Sequence, residues 1–318
     1  METISYDRPD WVDEDSYPFR DNWMLIKGHH VHYVDEGPRD KPVLLFVHPG
    51  PGWSYTYRYQ IERLRKDFRC VAPDLPGYGL SKAADGYNFT LIEQARVLET
   101  FVETLDLRII ILWANDGGGP TGILALGPHS DRVVGLVVGG TFGWSINEYK
   151  SMTRMLRLVS GPFFRMVNRY TNAVAWSVGR LGLGTRSMSK LEREHYTRPL
   201  KERNSRDRTL KLFRSFLDPA TQASLDDSLP AFRDKSALVL FGDKDPMTAQ
   251  GWPDRWAREI PRHRVRLLSG VKHFTFEDDP EATVEEFLDW WSEERLLSSR
   301  DGQVRDVDAD LAHSVQGD

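Results

Sequence analysis

The sequence predicts a mostly parallel, doubly wound α/β sheet carrying an inserted helical cap, and three observations lead to it. Short apolar runs of buried-strand type alternate with helical stretches over most of the chain. One long stretch, residues 144–230, breaks the alternation and holds only helical patterns. A third signal is the run Ile109–Trp113 followed by Ala114-Asn115-Asp116-Gly117-Gly118, in which small residues flank Asp116 at a sharp strand-to-helix turn.

Taken in order, the chain opens with an acidic, proline-punctuated arm, residues 1–22. Two short alternating segments, Trp23–Gly28 and His30–Val34, then suggest an antiparallel hairpin. Val43–Val47, Cys70–Ala72, Ile109–Trp113, Val133–Val138, Ala237–Phe241 and Val265–Leu268 read as buried parallel strands. Between them, Thr90–Leu107 places Leu91, Ala95, Leu98, Phe101, Val102 and Leu105 on one helical face, and Pro280–Leu297 is a second such helix with proline in its first turn. Within the insertion, Glu148–Leu158, Thr171–Leu181 and Arg206–Leu217 are helical, divided by Gly161-Pro162 and Gly182-Leu183-Gly184. The expected division is an α/β core over 23–143 and 231–297, a helical cap over 144–230 and a disordered polar tail over 298–318.

Composition narrows the function classes. A chain of 318 residues, 40% hydrophobic and 28% charged, can bury a large core. Its net charge of -5 argues against general nucleic-acid binding, and no apolar run is long enough to span a bilayer. With Cys70 as its single cysteine and no signal-like start, the expected compartment is the cytoplasm; oligomeric state is left open. His29, His30 and His32 alternate along the hairpin instead of following ligand spacing, so neither a metal nor a cofactor is expected. Residues 145–220 hold sixteen Lys or Arg against six Asp or Glu. Most read as solvated helix faces, with steering of anionic small molecules as the functional alternative.

The chemistry centres on Asp116. The flanking pattern is that of a nucleophile elbow, where Ala114 and Gly118 are small because strand and helix close tightly around residue 116. A carboxylate there is ionised at neutral pH and can attack a saturated carbon, leaving an ester on the enzyme. An Asp that merely caps the following helix would explain residue 116 but not its small neighbours. Asp245, in Gly242-Asp243-Lys244-Asp245-Pro246 after a buried strand, is placed to orient a histidine, with Asp243 as competitor. His273 follows the last strand, giving the chain order nucleophile, acid, histidine; it is the expected base. His48 reads as a loop brace.

Several segments resemble haloalkane dehalogenases and the related epoxide hydrolases: His32–Gly37, His48–Arg58, Asp74–Ser81, His273–Asp278 and the insertion stretches Tyr196–Leu200 and Ser205–Leu210. The similarity runs from about Arg8 to Leu297 and implies the α/β-hydrolase fold. It implies a covalent alkyl-enzyme ester formed on Asp116 and hydrolysed by water that His273 activates, with Asp245 holding the imidazole. His48-Pro49-Gly50-Pro51 is similar to the family's His-Gly-x-Pro loop, so the backbone N–H groups of Gly50 and Gly117 are the implied oxyanion donors.

The leaving-group site departs from that pattern. The family holds halide with a tryptophan after the nucleophile and a side chain from the His-Gly-x-Pro loop, positions that are Gly117 and Gly50 here. Trp53, Trp144 and Trp176 are candidate replacement indoles. For an epoxide, whose oxygen needs a phenol donor, the candidates are Tyr149, Tyr170 and Tyr196. Both readings, and another hydrolase or a non-catalytic binding protein of the same fold, stay open on the sequence.

Overall fold

A two-residue turn at Lys27-Gly28, both with positive φ, joins β1 (Asn22–Ile26) to β2 (His29–Glu36) as an antiparallel hairpin. The structure, a computed structural model, describes residues 6–300. Strand β2 pairs antiparallel with β4 (Arg69–Pro73), and β3 (Val43–Val47) lies between β4 and β5 (Ile110–Asp116), parallel to both. Parallel β6 (Val133–Thr141), β7 (Ser236–Gly242) and β8 (Arg262–Leu268) complete an eight-stranded sheet ordered β1-β2-β4-β3-β5-β6-β7-β8.

The pleat sends alternate residues of the central strands into two separate cores. Val43, Leu45 and Val47 of β3 join Ile110, Leu112 and Ala114 of β5 on one face, with Leu91, Leu98 and Phe101 of the helix Leu91–Thr104. Leu44 and Phe46 join Ile111 and Trp113 on the other, under Phe287 and Trp290 of the helix Pro280–Arg300. Each fully buried side chain of this kind stabilises the fold by about 1.5–3 kcal/mol, which is why these strands read as unbroken apolar runs. The 91–104 helix starts at a capping box in which Thr90 and Glu93 satisfy each other's backbone N–H groups.

One strand differs from expectation. The run Val265–Leu268 does not lie in a buried strand: β8 is the sheet edge and exposed or half-exposed throughout. Arg262, Arg264 and Arg266 alternate along it and reach Glu294, Glu293 and Glu286 of the last helix, a charged edge that discourages pairing with another chain.

Between β6 and β7 the chain holds helices at 150–159, 162–171, 173–181, 190–197, 208–215 and 219–228, twice the number that the sequence signals marked. A buried ionic network ties this insertion to the core. Glu277 accepts two hydrogen bonds from Arg58 (2.7 and 2.8 Å), one from Tyr196 Oη (2.6 Å) and one from Arg186, while Arg58 and Arg186 both reach Glu192. Asp278 beside it accepts the backbone N–H groups of Gly184, Thr185 and Lys272. The last helix continues through Ser298–Arg300, into the stretch expected as tail; the remainder of that tail, like residues 1–5, lies outside the described residues.

Candidate active site

Asp116 ends β5 with φ +47°, a left-handed conformation that costs a non-glycine residue of order 1–3 kcal/mol and that the surrounding turn enforces. Its small neighbours are required sterically: a Cβ on Gly118 would sit 2.0 Å from the Val47 carbonyl oxygen. Thr141 Oγ donates to the Asp116 carbonyl (2.5 Å). Asn115 Nδ2 donates to the carbonyls of Gly139 (2.5 Å) and His273 (3.1 Å), tying the elbow to the loop that carries the histidine.

The structure brings Asp116, His273 and Asp245 together. Gly50 N–H donates to Asp116 Oδ2 at 3.1 Å, and His273 Nε2 lies 3.5 Å from Oδ1. The other ring nitrogen, His273 Nδ1, lies 3.1 Å from Oδ2 of buried Asp245, whose Oδ1 accepts the Met247 N–H (2.9 Å). Asp243 instead accepts the Gly270 N–H (2.7 Å) and pairs with Lys244, bracing the turn. Burial pulls the His273 pKa down, but Asp245 and Asp116 outweigh it and raise the value to about 10. The imidazole thus stands between the two acidic side chains, and with 23% of its side chain exposed, solvent reaches it.

His48 braces the loop that carries Gly50. Its Nε2 accepts the Leu75 N–H (3.0 Å) while Nδ1–H donates to the Pro49 carbonyl (2.9 Å), and burial lowers its pKa, keeping the ring neutral. A second buried histidine, His32, is held on the hairpin by Asp74 (2.9 Å) and Asp21 (3.0 Å) and is not turned to a metal; burial opposes its charge, but the two carboxylates raise its pKa to about 9. Asp74 also accepts the Ser54 and Leu80 N–H groups, so this charge fixes the loops flanking the site.

The candidate leaving-group donors differ in their surroundings, and the buried indole N–H of Trp144 has no hydrogen-bond partner beyond the Tyr149 side chain. Trp53 is buried and its indole donates to the His195 carbonyl (2.8 Å). Tyr196 is committed to Glu277. Trp144 and Tyr149 pack around Trp252, with Arg255 over both rings. Trp176 and Tyr170 are exposed, near Arg180 and Arg203 respectively. What covers the nucleophile is the 208–215 helix and Phe216. A Cβ on Gly50 would meet Leu212 at 3.3 Å and Thr209 at 3.4 Å, and one on Gly117 would meet Leu212 and Phe216, each at 3.4 Å. The space next to those glycines is thus occupied by side chains of the insertion. Thr209 lies in the resembling segment Ser205–Leu210, and Leu212 and Phe216 in the expected helix Arg206–Leu217, but helical periodicity gives a buried face and not what it faces.

A groove of about 880 Å³ is lined by Arg157, Lys211, Arg214 and Asp218, and none of the three clustered residues lines it. It lies along the same 208–215 helix that carries Leu212. Among the described residues, Glu99, Glu103 and His129 form the one acid–histidine group with ligand-like spacing; His129 Nε2 is 3.1 Å from Glu103, near the start of β6 and so at the opposite end of the strand from the elbow. No described helix is long and apolar enough to cross a membrane.

The comparisons agree with this geometry. The model of the alpha/beta hydrolase fold family matches residues 42–280. Haloalkane dehalogenase 2 of Mycobacterium tuberculosis is 32% identical over 285 residues, covering 86% of this chain and 97% of the relative. Cis-3-alkyl-4-alkyloxetan-2-one decarboxylase of Shewanella oneidensis is 26% identical, covering 89% and 92%. Epoxide hydrolase 2 of Caenorhabditis elegans is 25% identical, covering 84% and 80%. Among solved structures, haloalkane dehalogenase DbeA from Bradyrhizobium elkani shares the fold with a TM-score of 0.77 at 24% identity, over 88% of this chain and all of that one. An elbow carboxylate, a histidine after the last strand and these likenesses lead to one conclusion: the chain belongs to the α/β-hydrolase fold family, in its haloalkane dehalogenase and epoxide hydrolase branch, and is a hydrolase.

Proposed function

We propose that the protein cleaves carbon–halogen bonds of small organic molecules through an ester on Asp116. An Asp116 oxygen attacks the halogen-bearing carbon, the C–O bond forms as the carbon–halogen bond breaks, and halide departs with the electron pair. Attack needs no base, because the carboxylate is already ionised, and neither step needs a cofactor. The protonated His273 holds Asp116 in place before attack. Once Asp116 is esterified, one of the two charges that raise the His273 pKa is gone, so the imidazole releases its proton more readily and becomes a base for water. Asp245 keeps the ring oriented. Water gives a proton to His273 as it attacks the ester carbonyl; the oxyanion accepts the N–H of Gly50, with Gly117 N–H the second donor, and its collapse breaks the acyl C–O bond, the alcohol leaving with a proton and Asp116 returning as carboxylate.

The observation that carries this reading is the carboxylate at the elbow, with a backbone donor on one oxygen and the imidazole across the other. In the same reading residues 144–230 act as the cap over a core of 23–143 and 231–297, the substrate is a small molecule and the site works in the cytoplasm. A second reading, epoxide hydrolysis, is favoured by Gly50 and Gly117, which give a halide no side-chain donor, and by a buried phenol, Tyr78, on which the charge of Asp116 acts.

The test is trapping. His273→Ala incubated with bromohexane is expected to gain the mass of a hexyl group on the peptide containing Asp116 and to release one bromide per chain. Asp116→Ala should gain nothing. Full turnover by either variant refutes the covalent mechanism.

A further inference from the structure

Two buried hydroxyls near Asp116, Tyr78 Oη and Thr209 Oγ, interact with each other, and neither has a further hydrogen-bond partner among the described residues. A tyrosine and a threonine hydroxyl together can donate and accept more than one mutual contact uses, so the pair keeps hydrogen-bonding capacity unspent in a buried place. They belong to different parts of the chain. Tyr78 lies on the loop after β4, its ring 5.4 Å from that of His48, next to the loop that presents the Gly50 N–H to Asp116. Thr209 comes from the insertion, its methyl 3.4 Å from where a Gly50 Cβ would stand, so it lies over the position where the family carries a halide-holding side chain. The two hydroxyls lie beside each other, and the negative charge of Asp116 acts on the phenol.

The surrounding chain holds both in place. Arg208, adjacent to Thr209, donates to the Gly77 carbonyl, adjacent to Tyr78 (2.7 Å), and Ser215 Oγ accepts the Leu91 N–H (2.9 Å) at the far end of the same helix. Burial pushes the Tyr78 pKa upward, so the phenol keeps its proton at neutral pH and remains a donor.

We infer that Tyr78 Oη and Thr209 Oγ form the leaving-group site, donating hydrogen bonds to the atom that departs from the carbon attacked by Asp116. This deepens the proposed function and rests on Asp116 being the nucleophile. The shared chemistry is an atom that gains negative charge as its bond to carbon breaks. A halide accepts the two hydrogen bonds and diffuses away. An epoxide oxygen stays on the substrate, takes the phenol proton, and the tyrosinate regains a proton from water.

The experiment measures the rate of Asp116 alkylation in the His273→Ala background, by intact mass, with bromohexane and with styrene oxide as probes. Tyr78→Phe and Thr209→Val are nearly isosteric, and each should slow alkylation about tenfold to a hundredfold, the loss of one donor to a charged atom. Each should change Tm little, because the only hydrogen bond lost is the weak mutual contact of the two hydroxyls. A merely structural pair behaves in the opposite way, with Tm falling and alkylation unchanged, and that result overturns the inference. Slowing with both probes supports a common leaving-atom site; slowing with styrene oxide alone supports it for oxygen, with bromohexane alone for halide. Unchanged alkylation in both variants removes the inference and leaves Asp116 as nucleophile. No adduct in the His273→Ala parent with either probe refutes the nucleophile and the inference with it.

Discussion

Gly117→Trp restores the indole that relatives of the dehalogenase type place directly after the nucleophile, and the structure sets what it will cost. The backbone at Gly117 (φ -63°, ψ -15°) suits any residue, so no conformational penalty arises. A Cβ also fits, at 3.4 Å from both Leu212 and Phe216, but every ring atom beyond it enters space those side chains fill. Overpacking of this kind costs about 1–3 kcal/mol, and the displaced Leu212 would take the insertion helix with it. Against that stands one indole N–H to a departing halide, worth about 1.5–3 kcal/mol or about tenfold to 150-fold in rate. The single variant is therefore expected to lower Tm with little gain in activity. The double variant Gly117→Trp/Leu212→Ala supplies the room and should release bromide from bromohexane about tenfold or more faster than Leu212→Ala alone, measured by a halide-sensitive dye, with indole fluorescence quenched by added bromide. A double variant that folds, shows bromide quenching and reacts no faster than Leu212→Ala would refute the claim that the glycines limit halide departure.

Asp245→Asn removes the nearer of the two charges that raise the His273 pKa. Alkylation of Asp116 should persist, ester hydrolysis should slow about tenfold to 150-fold for the lost charge-assisted hydrogen bond, and the acid limb of the hydrolysis profile should move to lower pH; single-turnover kinetics followed by mass separates the two steps. His32 predicts an alkaline loss of stability. Its folded pKa of about 9 lies above the ordinary 6.5, so its contribution of roughly 3 kcal/mol is complete below pH 6.5 and is lost as pH rises through 9. Thermal melts across that window should show Tm falling, and the slope should flatten in His32→Gln.

Much of the fold was legible because parallel strands buried on both faces must be apolar throughout, as β3, β5 and β7 are. β8 misled for a physical reason: its short apolar end, Val265–Leu268, resembles a buried run, while the arginines that mark an edge strand begin before it. The helix 162–171 is amphipathic, yet among its residues only Asn168 is buried, so its apolar pattern does not report what it packs against.

The same contrast divides the site. The elbow imposes a local constraint, a tight left-handed turn between strand and helix, so Asp116 with its small neighbours is written into adjacent positions of the sequence. His273 and Asp245 follow strands and inherit their visibility from them. The leaving-group side is different: Tyr78 and Thr209 lie in the resembling segments Asp74–Ser81 and Ser205–Leu210, but neither segment shows that the two side chains meet. Trp53, Trp144 and Tyr196 were attractive for their side-chain chemistry, yet each is used in packing or in the ties between insertion and core. Tyr78 and Thr209 meet only because the 208–215 helix lies over the loop after β4, held there by Arg208 at Gly77 and by Ser215 at Leu91. In this chain the proposed nucleophile and base are thus set by the core, whereas the proposed leaving-group donors depend on where the insertion sets one helix.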